Sequence, residues 1–229
     1  MTFVLCFATE TANPISQKFL RTGNLIAYLG GVVFDSSTFE VREMFDWGVS
    51  EVLSDRVAIA NFYYKDNLPF INALERYSYS ECISKLRAVM RRNSVSVMGA
   101  YNITFDKQAL QDTCFRFDVP FILDDYQLID LYSMSCDMLR GSENYRTFCV
   151  ENDRVSAAGN ISANAESVYA YLNNKPTFEE AHTALADAKI ESNIYANCLK
   201  YQKETGRLLT TVPNNSCWRW IQASKRKER

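Results

Sequence analysis

A strand that is buried on both of its faces is predicted at the start of the chain. Residues 2–9 include the apolar side chains of Phe3, Val4, Leu5 and Phe7, without the strict alternation of a half-exposed strand. Strands of this kind lie in the middle of a sheet whose two faces are both covered. The first residues therefore predict a central strand of a sheet with other elements packed on each side.

Two further β-type segments follow and predict an antiparallel meander. The second segment spans residues 24–35 and the third spans residues 39–47, with the turn residues DSST between them. Gly30 and Gly31 are adjacent within the second segment. Such a pair indicates either a β-bulge or the close approach of another piece of backbone.

The spacing of the apolar residues changes after residue 78. Helices are predicted over residues 79–93, with Ser80 as the N-cap, and over 104–117, 124–139, 162–172 and within 179–203. Residues 94–102 predict a short strand. Strands first, and then strands that alternate with helices, predict a single α/β domain with a mixed sheet.

Composition and net charge limit the possible functions but do not identify one. The chain has 229 residues, of which 47% are hydrophobic, so one sizeable core can form. The formal net charge is -2 and the sequence pI is about 5.6. This balance does not indicate a nucleic-acid binder, but it does not exclude one, because the clustered carboxylates of a metal site also lower the pI.

Cysteine and histidine usage argues against a zinc site. The seven cysteines include no Cys-x-x-Cys pair, and the chain has one histidine. Free thiols in a reducing, cytoplasmic compartment are therefore expected. The sequence has no signal-peptide pattern and no apolar run of about 18–20 residues, so we expect a soluble protein without a membrane span.

Acidic residues fall at the predicted ends of strands and starts of helices. Strand alternation places Glu10 on the same face as position 8, about 7 Å away. Asn102, Phe105 and Asp106 follow the strand at 94–102, where the next helix starts. Carboxylates that converge in this way can hold two divalent ions about 4 Å apart, as in two-metal phosphodiester cleavage. Position 8, however, is an alanine.

The third acidic segment is HTALADAKIE. His182 and Asp187 are five residues apart, which is about 140° around an ideal helix, so they would not share a face. We therefore expect His182 to precede the helix, Thr183 to cap it and Asp187 to lie in its first turns. A loop histidine beside a metal site titrates near neutral pH and can act as a base. Taken singly, each of these residues is more often structural than catalytic.

Order, spacing and local structure together make the sequence resemble the DEDDh 3'→5' exonucleases. The motifs are ATET at residues 8–11, NITFD at 102–106 and HTALAD at 182–187, with Asp130 opening the helix after the second motif. The resemblance covers roughly residues 1–200 and is greatest to small stand-alone and phage-encoded members. It implies an α/β, RNase H-like mixed five-stranded sheet flanked by helices. We assign residues 1–205 to this domain and 206–229 to a C-terminal extension with a basic tail.

The resemblance also implies a mechanism with two Mg²⁺ or Mn²⁺ ions. Glu10, Asp187 and the acid expected at position 8 would bind the ions, and Asp106 would act through metal-bound water. His182 would deprotonate the attacking water. The substrate implied is the 3' end of single-stranded DNA or RNA, which would be shortened by release of nucleoside 5'-monophosphates. Its terminal nucleotide would be held by three residues: Thr11, Asn102 and Phe105.

Ala8 departs from the family pattern at a metal-binding position. Either an aspartate has been replaced, or the site has decayed naturally. Because Glu10, Asp106, His182 and Asp187 are all retained, we favour a replacement that inactivates an otherwise intact nuclease. Loss of one member of such a unit removes most of the rate.

The motifs leave the biological role open. One alternative is a proofreading subunit that works with a separate polymerase, and another is a naturally inactive nucleic-acid-binding module. A homodimer is also compatible with the resemblance, and a phage-encoded protein would act in the host cytoplasm. Preference for DNA or RNA depends on contacts at the 2'-hydroxyl and is not set by the motif residues.

Overall fold

A six-stranded mixed sheet forms the centre of the computed structural model, which describes residues 2–12, 24–60 and 68–222. The strands are β1 (Phe3–Ala12), β2 (Leu25–Asp35), β3 (Val41–Val49), β4 (Glu75–Tyr77), β5 (Val95–Ala100) and β6 (Gln127–Asp130). Their order is β4-β3-β2-β1-β5-β6. The pairs β1–β2 and β2–β3 are antiparallel, whereas β1–β5, β5–β6 and β3–β4 are parallel.

Helices cover both faces of this sheet. They are α1 (Ser50–Leu53), α2 (Arg56–Ala60), α3 (Leu68–Ala73), α4 (Tyr79–Arg92), α5 (Ile103–Arg116), α6 (Leu131–Met138), α7 (Glu143–Glu151), α8 (Ala165–Leu172), α9 (Ala184–Thr205) and α10 (Trp218–Gln222). One hydrophobic core lies between the sheet and α1, α2, α4 and α5, and the other lies between the sheet and α6 to α10. The predicted α/β class, with a mixed sheet flanked by helices, is confirmed.

Strand β1 connects the two cores. Leu5 and Phe7 face the core of α4 and α5, whereas Val4, Cys6 and Ala8 face the core of α6 to α9. Both sets are buried, as expected for a strand with neighbours on each side and helices above and below. The central position predicted for this strand is confirmed.

One predicted helix is partly wrong, and the sheet has an additional strand. The first half of the helix predicted over 124–139 is a 3-10 turn followed by strand β6, which pairs with β5. A short apolar run such as QLID fits a strand and a helix equally well, and only the neighbouring strand decides between them. The sheet also has one strand more than the five expected, because β4 is three residues long and carries no alternation to recognise.

Local capping explains where several helices begin. Helix α4 is capped by Ser78 rather than Ser80, because Ser78 and Glu81 form a reciprocal capping box. Asp130 caps α6 by accepting from the Ser133 N–H at 2.9 Å, and it also accepts from the Ile103 N–H at the start of α5 at 3.1 Å. One carboxylate therefore fixes two helix starts at the same end of the sheet.

Gly30 allows helix α9 to lie directly on the sheet. A Cβ atom at Gly30 would lie 2.3 Å from the backbone nitrogen of Leu185 and 2.5 Å from the carbonyl carbon of Ala184. Of the two explanations for the glycine pair, close backbone approach is therefore the one observed at Gly30. The irregularity in the β1–β2 register lies elsewhere, between Glu10 and Thr11.

The segment after α9 returns to the core that α9 covers. Leu209, Cys217 and Ile221 are buried there, and α10 packs on α6. The basic tail at 225–229 lies outside the described residues. All seven cysteines fall within the described ranges, where each is buried and free. Among the helices of those ranges, none combines the length and apolar character needed to cross a membrane.

Candidate active site

The carboxyl end of β1 carries the first acidic residue of the site. Ala8 and Glu10 are both buried and alternate onto the sheet face that α9 covers. Glu10 is only 8% exposed, although its carboxyl is an ionisable group. The same-face arrangement predicted for positions 8 and 10 is therefore present, with a methyl group at position 8.

Asp106 reaches the same end of β1 from the opposite face. Asn102 adopts a left-handed conformation (φ 66°) and turns the chain from β5 into α5, which places Asp106 in the first helical turn. The Asp106 Oδ1 accepts hydrogen bonds from the Thr9 backbone N–H at 3.0 Å and from the Thr9 hydroxyl at 2.7 Å. These two bonds hold the buried Asp106 carboxylate beside Glu10.

Asp187 comes from the first turn of α9. The Thr183 hydroxyl accepts from the Ala186 N–H at 3.3 Å, so Thr183 caps α9 as predicted. The Asp187 carboxyl is hydrogen bonded to the carboxyls of Glu10 and Glu180. Its Oδ1 is buried and has no hydrogen-bond partner in the described part of the chain. Three segments that are far apart in sequence thus bring Glu10, Asp106 and Asp187 together.

Burial raises the pKa of each of these carboxyl groups, and repulsion between acids adds to the shift for Glu10 and Asp187. Burial raises the pKa of Glu10 to about 8, with the charges of Asp106 and Glu180 adding to the effect. Burial also raises the pKa of Asp106 to about 7, against the hydrogen bonds from Thr9. For Asp187, burial and the charges of Glu180 and Glu10 raise the pKa to about 10. A bound cation would favour the ionised forms and displace protons from these groups.

His182 lies immediately before α9, as its spacing from Asp187 predicts. Its backbone is left-handed (φ 50°), and its carbonyl accepts from the Tyr28 hydroxyl at 3.2 Å. The imidazole is half-exposed, with Nδ1 3.8 Å from Glu180 Oε2. The ring therefore stands at the mouth of the acidic cluster rather than inside it.

Two acids of this region have no counterpart in the predicted set. Burial raises the pKa of Glu180, which touches both Asp187 and His182. Glu191 is 5% exposed and accepts a hydrogen bond from the Tyr101 backbone N–H. The available sequence signal for Glu191 is its spacing, since it stands four residues after Asp187 and so shares its helix face.

The donor chemistry of the cluster suits a hard divalent cation. Carboxylate oxygens are the ligands that Mg²⁺ and Mn²⁺ prefer, and two buried oxygens, Asp187 Oδ1 and Glu191 Oε2, have no hydrogen-bond partner within the described ranges. As the side chains stand, no group of three or more acids, histidines or cysteines in those ranges is arranged around a common metal position. Asp187 instead shares protons with the carboxyls of Glu10 and Glu180, and a bound cation would replace those protons.

The predicted substrate-contacting residues are all at least partly exposed. Asn102 and Phe105 are exposed at the start of α5, with Phe105 43% exposed, and Thr11 is partly exposed near the end of β1. Asn102 opens onto a cleft of about 880 Å³ whose walls include the aromatic side chains of Tyr132 and Trp218. Polar residues of the segment 153–164 form much of its lining.

Arg154 fixes the wall of this cleft to the chain that leads into the site. Its guanidinium lies 2.8 Å from Glu166 Oε1 and donates to the carbonyls of Pro176 at 3.0 Å and Phe178 at 2.6 Å. The other oxygen of Glu166 accepts from the Glu180 N–H at 3.3 Å. The position of Glu180, and of the histidine that follows, is therefore set by α8 as well as by α9.

The sheet order and the helix layers define a mixed α/β fold that carries an acidic cluster at the end of β1. A scan of the sequence against protein-family models finds no match, and a search of curated proteins finds no similar sequence. Solved structures do match.

The nuclease domain of 3'hExo, described as a DEDDh family member bound to rAMP, has a TM-score of 0.59 at 10% identity, over 93% of this chain and 96% of that chain. Cell-death related nuclease 4 (CRN-4) has a TM-score of 0.58 at 14% identity, over 91% of this chain and 66% of that chain. E. coli Exonuclease I in complex with a dT13 oligonucleotide has a TM-score of 0.57 at 16% identity, over 90% of this chain. This chain spans 43% of the Exonuclease I chain. At these identities the likeness establishes the fold.

Proposed function

We propose that this protein is a divalent-metal-dependent 3'→5' exonuclease of the DEDDh kind, acting on single-stranded nucleic acid. The observation that carries the proposal is the meeting of Glu10, Asp106 and Asp187 at the end of one strand, beside the half-exposed His182. The shared fold with solved exonucleases supports the same conclusion.

The acids and the histidine have separate tasks in this proposal. Glu10, Asp106 and Asp187 would hold Mg²⁺ or Mn²⁺. The bound ions would supply Lewis-acid stabilisation of the charge that develops at the phosphate. His182 would take a proton from the attacking water. The Glu180 carboxylate, 3.8 Å from Nδ1, would stabilise the resulting imidazolium and leave Nε2 to accept the proton.

Substrate binding is assigned to the exposed residues at the start of α5 and the end of β1. A phosphodiester is an anion, so an acidic cluster repels it unless cations are bound, which makes metal dependence part of substrate binding. The Phe105 ring is exposed enough to stack on a base or sugar. Asn102 and Thr11 would contact the terminal nucleotide, and the cleft beyond Asn102 is wide enough to receive the following ones. The product would be a nucleoside 5'-monophosphate.

Position 8 determines the activity expected of the present chain. If two ions are held in the expected way, alanine at position 8 leaves the site one carboxylate short. The loss of one member of a group of catalytic residues that act together removes most of the rate. We therefore expect Ala8→Asp to raise the exonuclease rate by two orders of magnitude or more, unless another group supplies the missing carboxylate.

The proposal is tested with 5'-labelled single-stranded DNA and RNA, Mg²⁺ or Mn²⁺, and a chelator control. The proteins are the present chain, Ala8→Asp, and Ala8→Asp combined with His182→Ala. A ladder of 3'-shortened products that needs metal and falls sharply without His182 is the expected result. If neither the present chain nor Ala8→Asp shortens either polymer while both are folded, the nuclease proposal is refuted, and a binding module or a partner-dependent subunit becomes the explanation.

A further inference from the structure

Glu191 is a buried acid that does not belong to the proposed metal-binding set of Glu10, Asp106 and Asp187. It lies in the middle of α9 at 5% exposure, next to Ile190 and one turn before Ile194, both of which are buried. It accepts a hydrogen bond from the Tyr101 backbone N–H. Its Oε2 is buried and finds no hydrogen-bond partner in the described ranges. Burying a polar atom without a hydrogen-bond partner destabilises a fold, so a purely structural role is a poor explanation.

The strand register places this carboxylate beside position 8. Cys6 of β1 is paired in parallel with Gly99 of β5, and Ala8 and Tyr101 each follow this pair by two residues on neighbouring segments. The Glu191 carboxylate is bonded to the backbone of Tyr101 and also acts electrostatically on the Cys6 thiol. Cys6 and Ala8 point to the same face of the sheet, towards α9. The carboxylate therefore lies over the part of β1 from which an aspartate at position 8 would project.

Glu191 also faces the other acids. It follows Asp187 by four residues, so both side chains leave the same side of α9. The charges that act on Glu191 come from Asp106, Asp187 and Glu180, which places it within reach of carboxylates from α5, from α9 and from the loop before α9. The unpartnered oxygen thus belongs to a group at the edge of the acidic cluster.

We propose that Glu191 supplies, from helix α9, the metal-binding carboxylate that position 8 of strand β1 lacks. The donor set of this chain is then Glu10, Asp106, Asp187 and Glu191. In this arrangement the Glu191 carboxylate takes over the role of an acid at position 8, and the small side chain of Ala8 leaves room for it. This inference rests on the proposed metal-dependent function, and it is an alternative to the inactivating replacement expected from the motif.

Metal binding without substrate is the first test. Mn²⁺ binding is measured by calorimetry, and the Mn²⁺-induced rise in unfolding temperature is measured for the present chain, Glu191→Gln and Glu204→Gln. Glu204 lies in the same helix but is exposed, so it controls for the change of charge. We expect Glu191→Gln to weaken Mn²⁺ binding by at least about 10–100-fold, the loss that follows removal of a group that only supports a metal ligand. The Glu204 variant should bind as the present chain does.

The metal-free proteins show whether the change acts on folding instead. Glutamine has the shape of glutamate without the charge, so metal-free Glu191→Gln should unfold at the same temperature as the present chain or at a higher one. Glu191→Met, which is apolar and of similar length, serves as a second variant if glutamine disturbs the core. Unchanged Mn²⁺ affinity in either folded variant overturns the inference.

Restoring the acid on the strand gives the second test. In the double variant Ala8→Asp/Glu191→Gln, the aspartate should recover the Mn²⁺ affinity that Glu191→Gln loses, because the two carboxylates serve the same position. If Ala8→Asp strengthens Mn²⁺ binding equally with and without Glu191, the inference is refuted while the nuclease proposal stands. If Glu191→Gln abolishes Mn²⁺ binding but no variant shortens an oligonucleotide, the metal site stands and the nuclease proposal falls. If no variant binds Mn²⁺, both fail.

Discussion

Replacing Gly30 by alanine tests how helix α9 positions the site. An added Cβ would lie 2.3 Å from Leu185 N, 2.5 Å from the Ala184 carbonyl carbon and 2.6 Å from Leu185 Cα. All three are backbone atoms at the start of α9, so no side chain can rotate away to make room. The first turn of α9, which carries Asp187, therefore has to move away from the sheet.

The size of the effect follows from two opposing contributions. Overpacking a well-packed site costs about 1–3 kcal/mol, and a contact with backbone on both sides falls at the upper end. Removing a glycine from a strand returns about 0.5–1 kcal/mol. A net loss of about 2 kcal/mol in the free energy of unfolding is expected, which for a chain of this length lowers the unfolding temperature by about 4–8 °C.

Gly99→Ala is the matched control, since Gly99 is also a buried strand glycine beside the site. There the added Cβ would meet the Ile129 side chain at 3.0 Å, and that side chain can adjust. Its unfolding temperature should change much less than that of Gly30→Ala. Thermal and denaturant unfolding measure both variants without metal, and calorimetry then measures Mn²⁺ binding, which should weaken in Gly30→Ala alone. An unfolding temperature of Gly30→Ala within about 1 °C of the parent would refute the close packing of α9 on β2.

Two further outcomes are expected. The pKa values of Glu10 and Asp106 are raised to about 8 and about 7, above their ordinary values, so the folded metal-free protein binds more protons than the unfolded chain. These groups therefore stabilise the fold fully below about pH 4 and lose that contribution as the pH rises through 7 to 8. Denaturant unfolding in chelator between pH 5 and 9 should show this fall, and Glu10→Gln should make it shallower; stability that rises with pH would contradict the assignment. Phe105→Ala should weaken single-stranded oligonucleotide binding by about 1–3 kcal/mol without changing the unfolding temperature. Phe115→Ala, at an 89% exposed site of the same helix, is the control, and equal losses in fluorescence anisotropy titrations would exclude stacking at Phe105.

The main layout of the fold is predictable because its strongest signals are long and periodic. The apolar run of β1, the meander and the long helix α9 each extend over enough residues for burial to leave a pattern. Strand β6 and strand β4 are four and three residues long, and the parallel neighbours that stabilise them are distant in sequence. Short segments of this kind are decided by tertiary contacts, so they are missed or assigned to the wrong class.

The site shows the same division between local and tertiary information. Motif spacing predicts that Glu10, Asp106 and Asp187 belong together, and it predicts the cap at Thr183. It does not predict that Thr9 holds Asp106, because Thr9 and Glu10 alternate to opposite faces of β1 and only the fold brings α5 to one of them. Glu191 is not predicted as a site residue for a different reason. An acid on an apolar helix face interrupts the hydrophobic periodicity and gives no sign of a functional role.

The charge balance of the cluster explains why a cation is the expected occupant. The charges that raise the pKa values of Glu10, Asp187 and Glu191 all come from other acidic residues. Protons and metal ions can both offset the repulsion within such a cluster of acids. Protons serve only while the pH stays below the raised pKa values, which are about 7 for Asp106, about 8 for Glu10 and about 10 for Asp187. In the proposed metal site, divalent ions would replace the protons on the buried acids and supply the same positive charge.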